Sequence, residues 1–169
     1  MIMSDEIIPP ARRRSVLAGL LTTFSGAVLA ACGSGRAEAK SYRVSLSEEQ
    51  WRKKLTPAEF RVLRNAATER PYTSDLLKEK RKGTYTCAGC DNDLYASNTK
   101  FDSGTGWPSF WQALPNAVGT STEYKIGYPR TEVHCADCGG HLGHIFNDGP
   151  KPTGKRHCIN GVAMDFRAG

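Results

Sequence analysis

The hydrophobic pattern divides the chain into three textures. The first is uniformly apolar: Ser15 to Ala31 holds no charge, follows Arg12-Arg13-Arg14 and gives way to a polar stretch from Ser34 to Ser41. A basic start, an apolar middle and a small-residue end make an export signal rather than part of a fold. The second texture, from Val44, is helical. Ser47-x-x-Gln50 is a capping box, and Thr56-Pro57-Ala58-Glu59 is a stronger one with proline at the first helical position. Two short helices are predicted, the second with an apolar stripe of Phe60, Leu63 and Ala67, and a further turn or two between Thr73 and Lys82 before Gly83.

Beyond Gly83 the texture becomes that of short strands. Gly83 to Cys87, Leu94 to Ala96, Glu123 to Ile126, Arg130 to His134 and Arg156 to Phe166 are β-branched and aromatic runs between Gly, Pro, Asn and Asp. The predicted fold is mostly β, of the α+β class: small antiparallel sheets with short amino-terminal helices. The predicted organisation is a signal and linker over residues 1–41 and one domain over 42–169.

Composition narrows this reading only slightly. The chain has 169 residues, with 17 Gly and 9 Pro, a turn-rich balance that argues against a bundle or a coiled coil. The net charge of +6 comes from 23 Lys and Arg against 17 Asp and Glu. That surplus is mild and unclustered, so no nucleic-acid partner is expected. Within the signal, Arg13-Arg14-Ser15-Val16-Leu17 resembles a twin-arginine motif, and Leu29-Ala30-Ala31-Cys32 resembles a lipobox cleaved before a lipid-modified Cys32. An uncleaved anchor and ordinary cleavage after Ala39, which would discard Cys32, are the competing readings. All three place the body outside the cytoplasm, in the periplasm or cell envelope, with the membrane touched only through the signal or a lipid.

Six cysteines carry the chemistry. Cys87-Ala88-Gly89-Cys90 and Cys135-Ala136-Asp137-Cys138 are two C-x-x-C knuckles, each after a predicted strand. Small residues between the thiols let both sulfurs of a knuckle reach one ion, which suits a tetrahedral zinc held by four thiolates. Four protein ligands close such a site, so the metal is expected to be structural and to clip two distant hairpins together. A pair of disulfides and a redox-active C-x-x-C are the alternatives.

Cys158 stands apart. On a strand, Arg156, Cys158 and Asn160 share one face, which continues as Val162, Met164 and Phe166. A neighbouring arginine and nearby imidazoles favour the thiolate, the nucleophilic form. A buried, inert cysteine is the bland reading. His141 and His144 lie in a glycine-rich run ending in Asp148. Three residues apart, they face opposite sides of a regular strand, so both serve one site only where Gly143 bends or bulges the chain; otherwise one is a surface residue. Trp107, Phe110 and Trp111 crowd a glycine-rich turn, as core or as a pocket for a small, weakly polar group such as a methyl on sulfur.

Taken together, Phe-Asp-Ser-Gly-x-Gly-Trp-Pro-Ser-Phe from Phe101, His-Leu-Gly-His-Ile-Phe-x-Asp-Gly-Pro from His141, Pro-Thr-Gly-x-Arg-x-Cys-Ile-Asn from Pro152 and the two knuckles resemble the type B methionine sulfoxide reductases, over roughly Leu46 to Phe166. The resemblance implies two antiparallel sheets, a structural zinc and reduction of the R epimer of methionine sulfoxide in oxidised proteins or peptides. By motif, Cys158 is then the nucleophile, and His144 with His141 and Asp148 supplies and orients a proton. Asn160 and Arg156 support the site, and Trp107 with Phe110 forms the methyl pocket. Many members carry a resolving cysteine where this chain has Thr105, so recycling is expected to need an external thiol such as a thioredoxin, with the chain acting as a monomer. His157, Gly161, Val162 and Ala163 also depart from the usual residues around the nucleophile. A binding module built on zinc knuckles, without catalysis, and a thiol hydrolase using Cys158 are the readings from other classes.

Overall fold

The computed structural model describes residues 41–169. The signal, the lipobox and Cys32 lie outside the described residues. Among the described residues, no helix is long and apolar enough to cross a membrane.

Two seven-residue helices open the domain, α1 (Glu48–Lys54) and α2 (Pro57–Leu63), and both capping boxes form as read from the sequence. Ser47 and Thr56 accept from the third helical amide, and Gln50 and Glu59 reach back to the cap amide, so two donors are satisfied at each start. Helix α2 ends at Leu63, and Ala66 takes a left-handed φ of 48°, so Ala67 packs on the core from beyond the helix. One 3-10 turn, Asp75–Leu77, is all that forms between Thr73 and Lys82.

Nine strands follow: β1 (Gly83–Cys87), β2 (Asp93–Ala96), β3 (Lys100–Phe101), β4 (Ser109–Phe110), β5 (Val118–Glu123), β6 (Arg130–Cys135), β7 (His141–Phe146), β8 (Arg156–Ile159) and β9 (Met164–Ala168). They make a three-stranded sheet in the order β2-β1-β9 and a six-stranded sheet in the order β3-β4-β8-β7-β6-β5, both antiparallel. The mostly-β class expected from the sequence is the observed one.

Two strand expectations change. The run from Glu123 to Ile126 is not a strand; Glu123 ends β5, and Tyr124 to Tyr128 lie in the connection to β6, with all three large apolar side chains exposed. The stretch from Arg156 to Phe166 is not one strand either. It breaks after Ile159, passes through a 3-10 turn over Gly161–Ala163 and resumes as β9 in the other sheet. The shared face therefore ends at Asn160, and Met164 and Phe166 belong to a different layer. The core lies on the far side of the six-stranded sheet, where Phe110 stacks on Tyr95 at 4.3 Å and meets Tyr85 edge-on at 4.9 Å.

Candidate active site and metal centre

Register places the chemistry. Across the six-stranded sheet the Cα partners of one rung run Ser121, Glu132, His144, Cys158, Ser109, from β5 to β4. Directly opposed residues share a face, so a thiol, an imidazole, a carboxylate and two hydroxyls line one side of the sheet. Arg156, two residues before Cys158, joins the same side.

Both histidines reach that side because β7 is irregular. Val133 pairs with Gly143 and His134 with His141, so Leu142 is the extra residue of a bulge. Asn160 fixes this bulge: its amide nitrogen and its side-chain Nδ2 each donate to the Leu142 carbonyl at 2.9 Å, while its Oδ1 accepts from the Glu69 amide. The rings of His141 and His144 then meet edge to face at 5.4 Å. Gly143 lets β7 and β8 close up, since a Cβ there would lie 2.0 Å from the Cys158 carbonyl oxygen.

Each histidine is held by a glutamate. His141 Nδ1 donates to Glu132 Oε1 at 2.7 Å, and His144 Nε2 to Glu123 Oε1 at 3.2 Å. The Lys125 amide and the Arg130 guanidinium hold Glu123 at about 2. Burial opposes ionisation of Glu132, yet hydrogen bonds from Ser121 and His141 leave it below its ordinary range. With ionised acceptors, each imidazole keeps its proton on the glutamate side. His144 Nδ1 and His141 Nε2 are left bare, the latter buried with no hydrogen-bond partner. Burial lowers the proton affinity of both rings, against the pull of their glutamates.

Burial also raises the Cys158 thiol above its ordinary range, although the charge of Arg156 and the hydroxyl of Thr105 act the other way. Arg156 favours the thiolate, as the sequence suggests, but desolvation of the charged form outweighs it. The resting site is a thiol beside neutral imidazoles, with one proton to share.

Asp148 pairs with Arg156 rather than with either histidine. It accepts a two-pronged hydrogen bond from Arg156 at 2.9 and 2.8 Å, and the guanidinium lies 4.4 Å over the Phe146 ring. Trp107 is tied to the Asn160 end of the site through Nε1, which donates to the Glu69 carbonyl at 3.2 Å. Phe110 turns away: it is the register partner of His157, on the core face. The structure therefore does not place it at a pocket beside Cys158. Thr105 Oγ1 lies 4.0 Å from Cys158 Sγ.

The knuckles form at strand ends, Cys87 closing β1 and Cys135 closing β6. All four sulfurs lie within 4.8 Å of one another, with Cys87 to Cys138 at 3.8 Å and Cys90 to Cys135 at 3.5 Å. Tetrahedral thiolates about 2.3 Å from zinc stand roughly 3.8 Å apart, so the donors present fit that ion. Asn92 Nδ2 donates to Cys135 Sγ at 3.5 Å, as suits an ionised sulfur. The cluster joins the β1–β2 turn of one sheet to the β6–β7 turn of the other.

The SelR domain family matches residues 55–168, most of the chain. The chain belongs to the SelR family. Among its relatives is the peptide methionine sulfoxide reductase MsrB of Leifsonia xyli subsp. xyli, 51% identical over 128 residues, which are 75% of this chain and 92% of that protein. The MsrB of Bradyrhizobium diazoefficiens is 54% identical over 123 residues, 72% of this chain and 88% of the relative. Peptide methionine sulfoxide reductase B1, chloroplastic, of Arabidopsis thaliana is 48% identical over 130 residues, 76% of this chain and 64% of the relative.

In this SelR chain the sequence reading missed Glu123 and Glu132, the partners of the histidines. A signal for one existed: in Arg130-Thr131-Glu132-Val133-His134 the alternation puts Glu132 on one face with His134. For Glu123 there was none, because its place depends on where β5 ends. Glu69 was also missed; its carboxylate accepts from the Gly161 and Val162 amides at 2.5 and 3.0 Å and so holds the turn after Asn160.

Proposed function

We propose that the chain reduces the R epimer of methionine sulfoxide, in oxidised proteins and peptides, back to methionine. The observation that carries this reading is the rung that sets Cys158 opposite His144 in a chain about half identical to peptide methionine sulfoxide reductases. A sulfoxide sulfur is electrophilic, but its oxygen leaves poorly unless protonated, so the reaction needs a thiolate and an acid together. Here the thiol proton passes to the bare nitrogen of His144, leaving a thiolate beside an imidazolium that Glu123 stabilises. The thiolate attacks the sulfoxide sulfur to form an S–S bond and the imidazolium protonates the oxygen; the hydroxyl then passes from the methionine sulfur to the Cys158 sulfur as the S–S bond breaks, releasing methionine and leaving a sulfenic acid beside a neutral His144. His141 and Asn160 keep the bulge and its two rings in place; Arg156, anchored on Asp148, offsets the negative charge near sulfur.

Two equivalents of an external thiol, of the thioredoxin kind, then return the sulfenic acid to the thiol, giving one disulfide and one water. Among the described residues the other four cysteines are all in the metal cluster, which supports an external reductant. Cys87, Cys90, Cys135 and Cys138 would hold zinc; four thiolates leave it no open position, so it supplies a clamp between hairpins. The amino-terminal segment exports the chain to the periplasm or envelope, with Cys32 lipidated; mass spectrometry of the mature amino terminus tests this. The assay for the reaction is turnover of separated sulfoxide epimers with dithiothreitol. R-epimer turnover that Cys158→Ser abolishes is expected; equal turnover of both epimers overturns the reading.

A further inference from the structure

The segment leading into β4 carries three hydroxyls that the mechanism above leaves unused. Ser103 Oγ lies 2.8 Å from Thr105 Oγ1 and 2.8 Å from Ser109 Oγ. Ser109 donates to the Trp107 carbonyl at 3.1 Å, and Thr105 Oγ1 is 4.0 Å from Cys158 Sγ. Four contacts in series therefore run from the sulfur to a backbone carbonyl.

The direction of that series is set by counting protons. Each hydroxyl donates one hydrogen, and the carbonyl can only accept. With Cys158 as a thiol, four hydrogens serve four contacts in one order: Cys158 to Thr105, Thr105 to Ser103, Ser103 to Ser109, Ser109 to the Trp107 carbonyl. Once the thiol proton is gone, three hydrogens remain. Keeping the old order would point a lone pair of Thr105 at the sulfur anion. Turning all three hydroxyls round gives Thr105 to sulfur, Ser103 to Thr105 and Ser109 to Ser103, and gives up only the bond to the carbonyl. A hydrogen bond to an anion is about twice as strong as a neutral one, so the exchange favours the turned chain.

We infer that Ser103, Thr105 and Ser109 form a reversible hydroxyl chain whose donors turn toward Cys158 when its thiol loses its proton, so that Thr105 holds the thiolate. The inference rests on reading Cys158 as the nucleophile. Thr105 touches the reacting sulfur; Ser103 and Ser109 are positioning residues that act through it. The other charged or titratable groups facing Cys158 are Arg156 on its own strand, Asp148 behind Arg156, and His144 across on β7 with His141 beside it. On the β4 side the neighbours are hydroxyls, with Asp102 turned to the Gly104 amide.

The chain makes a signed prediction that simple packing does not. Thr105→Val removes the donor at sulfur, so ionisation of Cys158 becomes harder. Ser109→Ala removes the bond that ionisation has to break, so ionisation becomes easier. The experiment is the rate of iodoacetamide modification of Cys158 against pH in the zinc-loaded protein, read on the Cys158 peptide by mass spectrometry. It uses no sulfoxide, so its result is independent of whether the chain is a reductase. The midpoint should rise by about one pH unit in Thr105→Val, stay near wild type in Thr105→Ser, and fall in Ser109→Ala. Thr105→Ala gives the same readout as the valine variant without putting a methyl where the hydroxyl was. A midpoint unmoved by loss of the Thr105 hydroxyl, or one that fails to fall in Ser109→Ala, overturns the inference.

Discussion

His144 and Cys158 are Cα partners on neighbouring strands, so sheet register, rather than a loop, fixes the imidazole against the thiol. A slip of one residue would send one of them to the core face, where His157 and Ile145 now pair. The pair is therefore built in by the same hydrogen bonds that hold the sheet, and its behaviour follows from burial.

The first expectation concerns the resting sulfur. Because burial lifts the Cys158 thiol, its alkylation in wild-type protein should be half-maximal above about pH 8.5, the ordinary thiol value. Stopped-time alkylation across pH 6 to 10 measures it. A midpoint near neutrality would mean that Arg156 outweighs burial.

A second concerns Glu123. Its carboxylate raises the proton affinity of His144, so Glu123→Gln should lower it further and leave less imidazolium at neutral pH. Turnover should fall by about tenfold, within the range of general acid catalysis, and the alkaline limb of the pH profile should move to lower pH. An unchanged limb would show that Glu123 only braces the β5–β6 turn.

The metal cluster predicts a linked loss. Replacing Cys87 by Ser should release zinc and unfold the domain together. A structural zinc contributes roughly 10 kcal/mol or more, comparable to the whole stability of a domain, about 5–15 kcal/mol. Metal content and thermal unfolding of the same sample decide it. A metal-free variant with an unchanged transition would refute the clamp.

Thr105 permits a gain-of-bond test. With its hydroxyl 4.0 Å from Cys158 Sγ, Thr105→Cys should place a second thiol within disulfide range, which needs Cα atoms within roughly 7 Å. One equivalent of sulfoxide should then yield a 105–158 disulfide, seen by peptide mapping, and faster recycling by a thioredoxin-like donor. Wild-type protein should instead accumulate a sulfenic acid that dimedone traps.

His157 predicts an acid weakness. It is buried beside Tyr95, whose hydroxyl lies 3.1 Å from its Nδ1, and burial holds it at about 4, against about 6.5 in an unfolded chain. As pH falls, the unfolded state takes this proton first. The contribution is complete above about pH 6.5, declines towards pH 4, and amounts to on the order of 2 kcal/mol. Urea melts at pH 7 and pH 4.5 should show a smaller loss in His157→Phe than in wild type; equal losses would exonerate this residue.

Much of this molecule could be read locally. Capping boxes are decided within four residues, and both helices begin where Ser47 and Thr56 say. The two knuckles carry their spacing in the sequence, and the sulfurs converge accordingly. What escaped was whatever depends on partners far along the chain. The two-residue strands β3 and β4 have no periodicity to detect, so Ser109, between Pro108 and Phe110, gave no sign that it would sit beside Cys158. Strand β5 is rich in Gly, Ser and Thr because it edges the sheet, and its weak apolar signal let the expected strand slide past Glu123. Asp148 lay close to the histidines in sequence, yet Arg156, brought alongside by β8, is the stronger partner.

Gly143 has a consequence for the chain's tolerance of change. A single added methyl would strike the Cys158 carbonyl oxygen at 2.0 Å, well inside any distance that backbone atoms accept, and both atoms belong to the sheet. Alanine would therefore prise β7 from β8 and part His144 from Cys158 while altering neither. In saturation mutagenesis, position 143 should behave as an active-site position, intolerant of all nineteen alternatives, though it contributes no functional group.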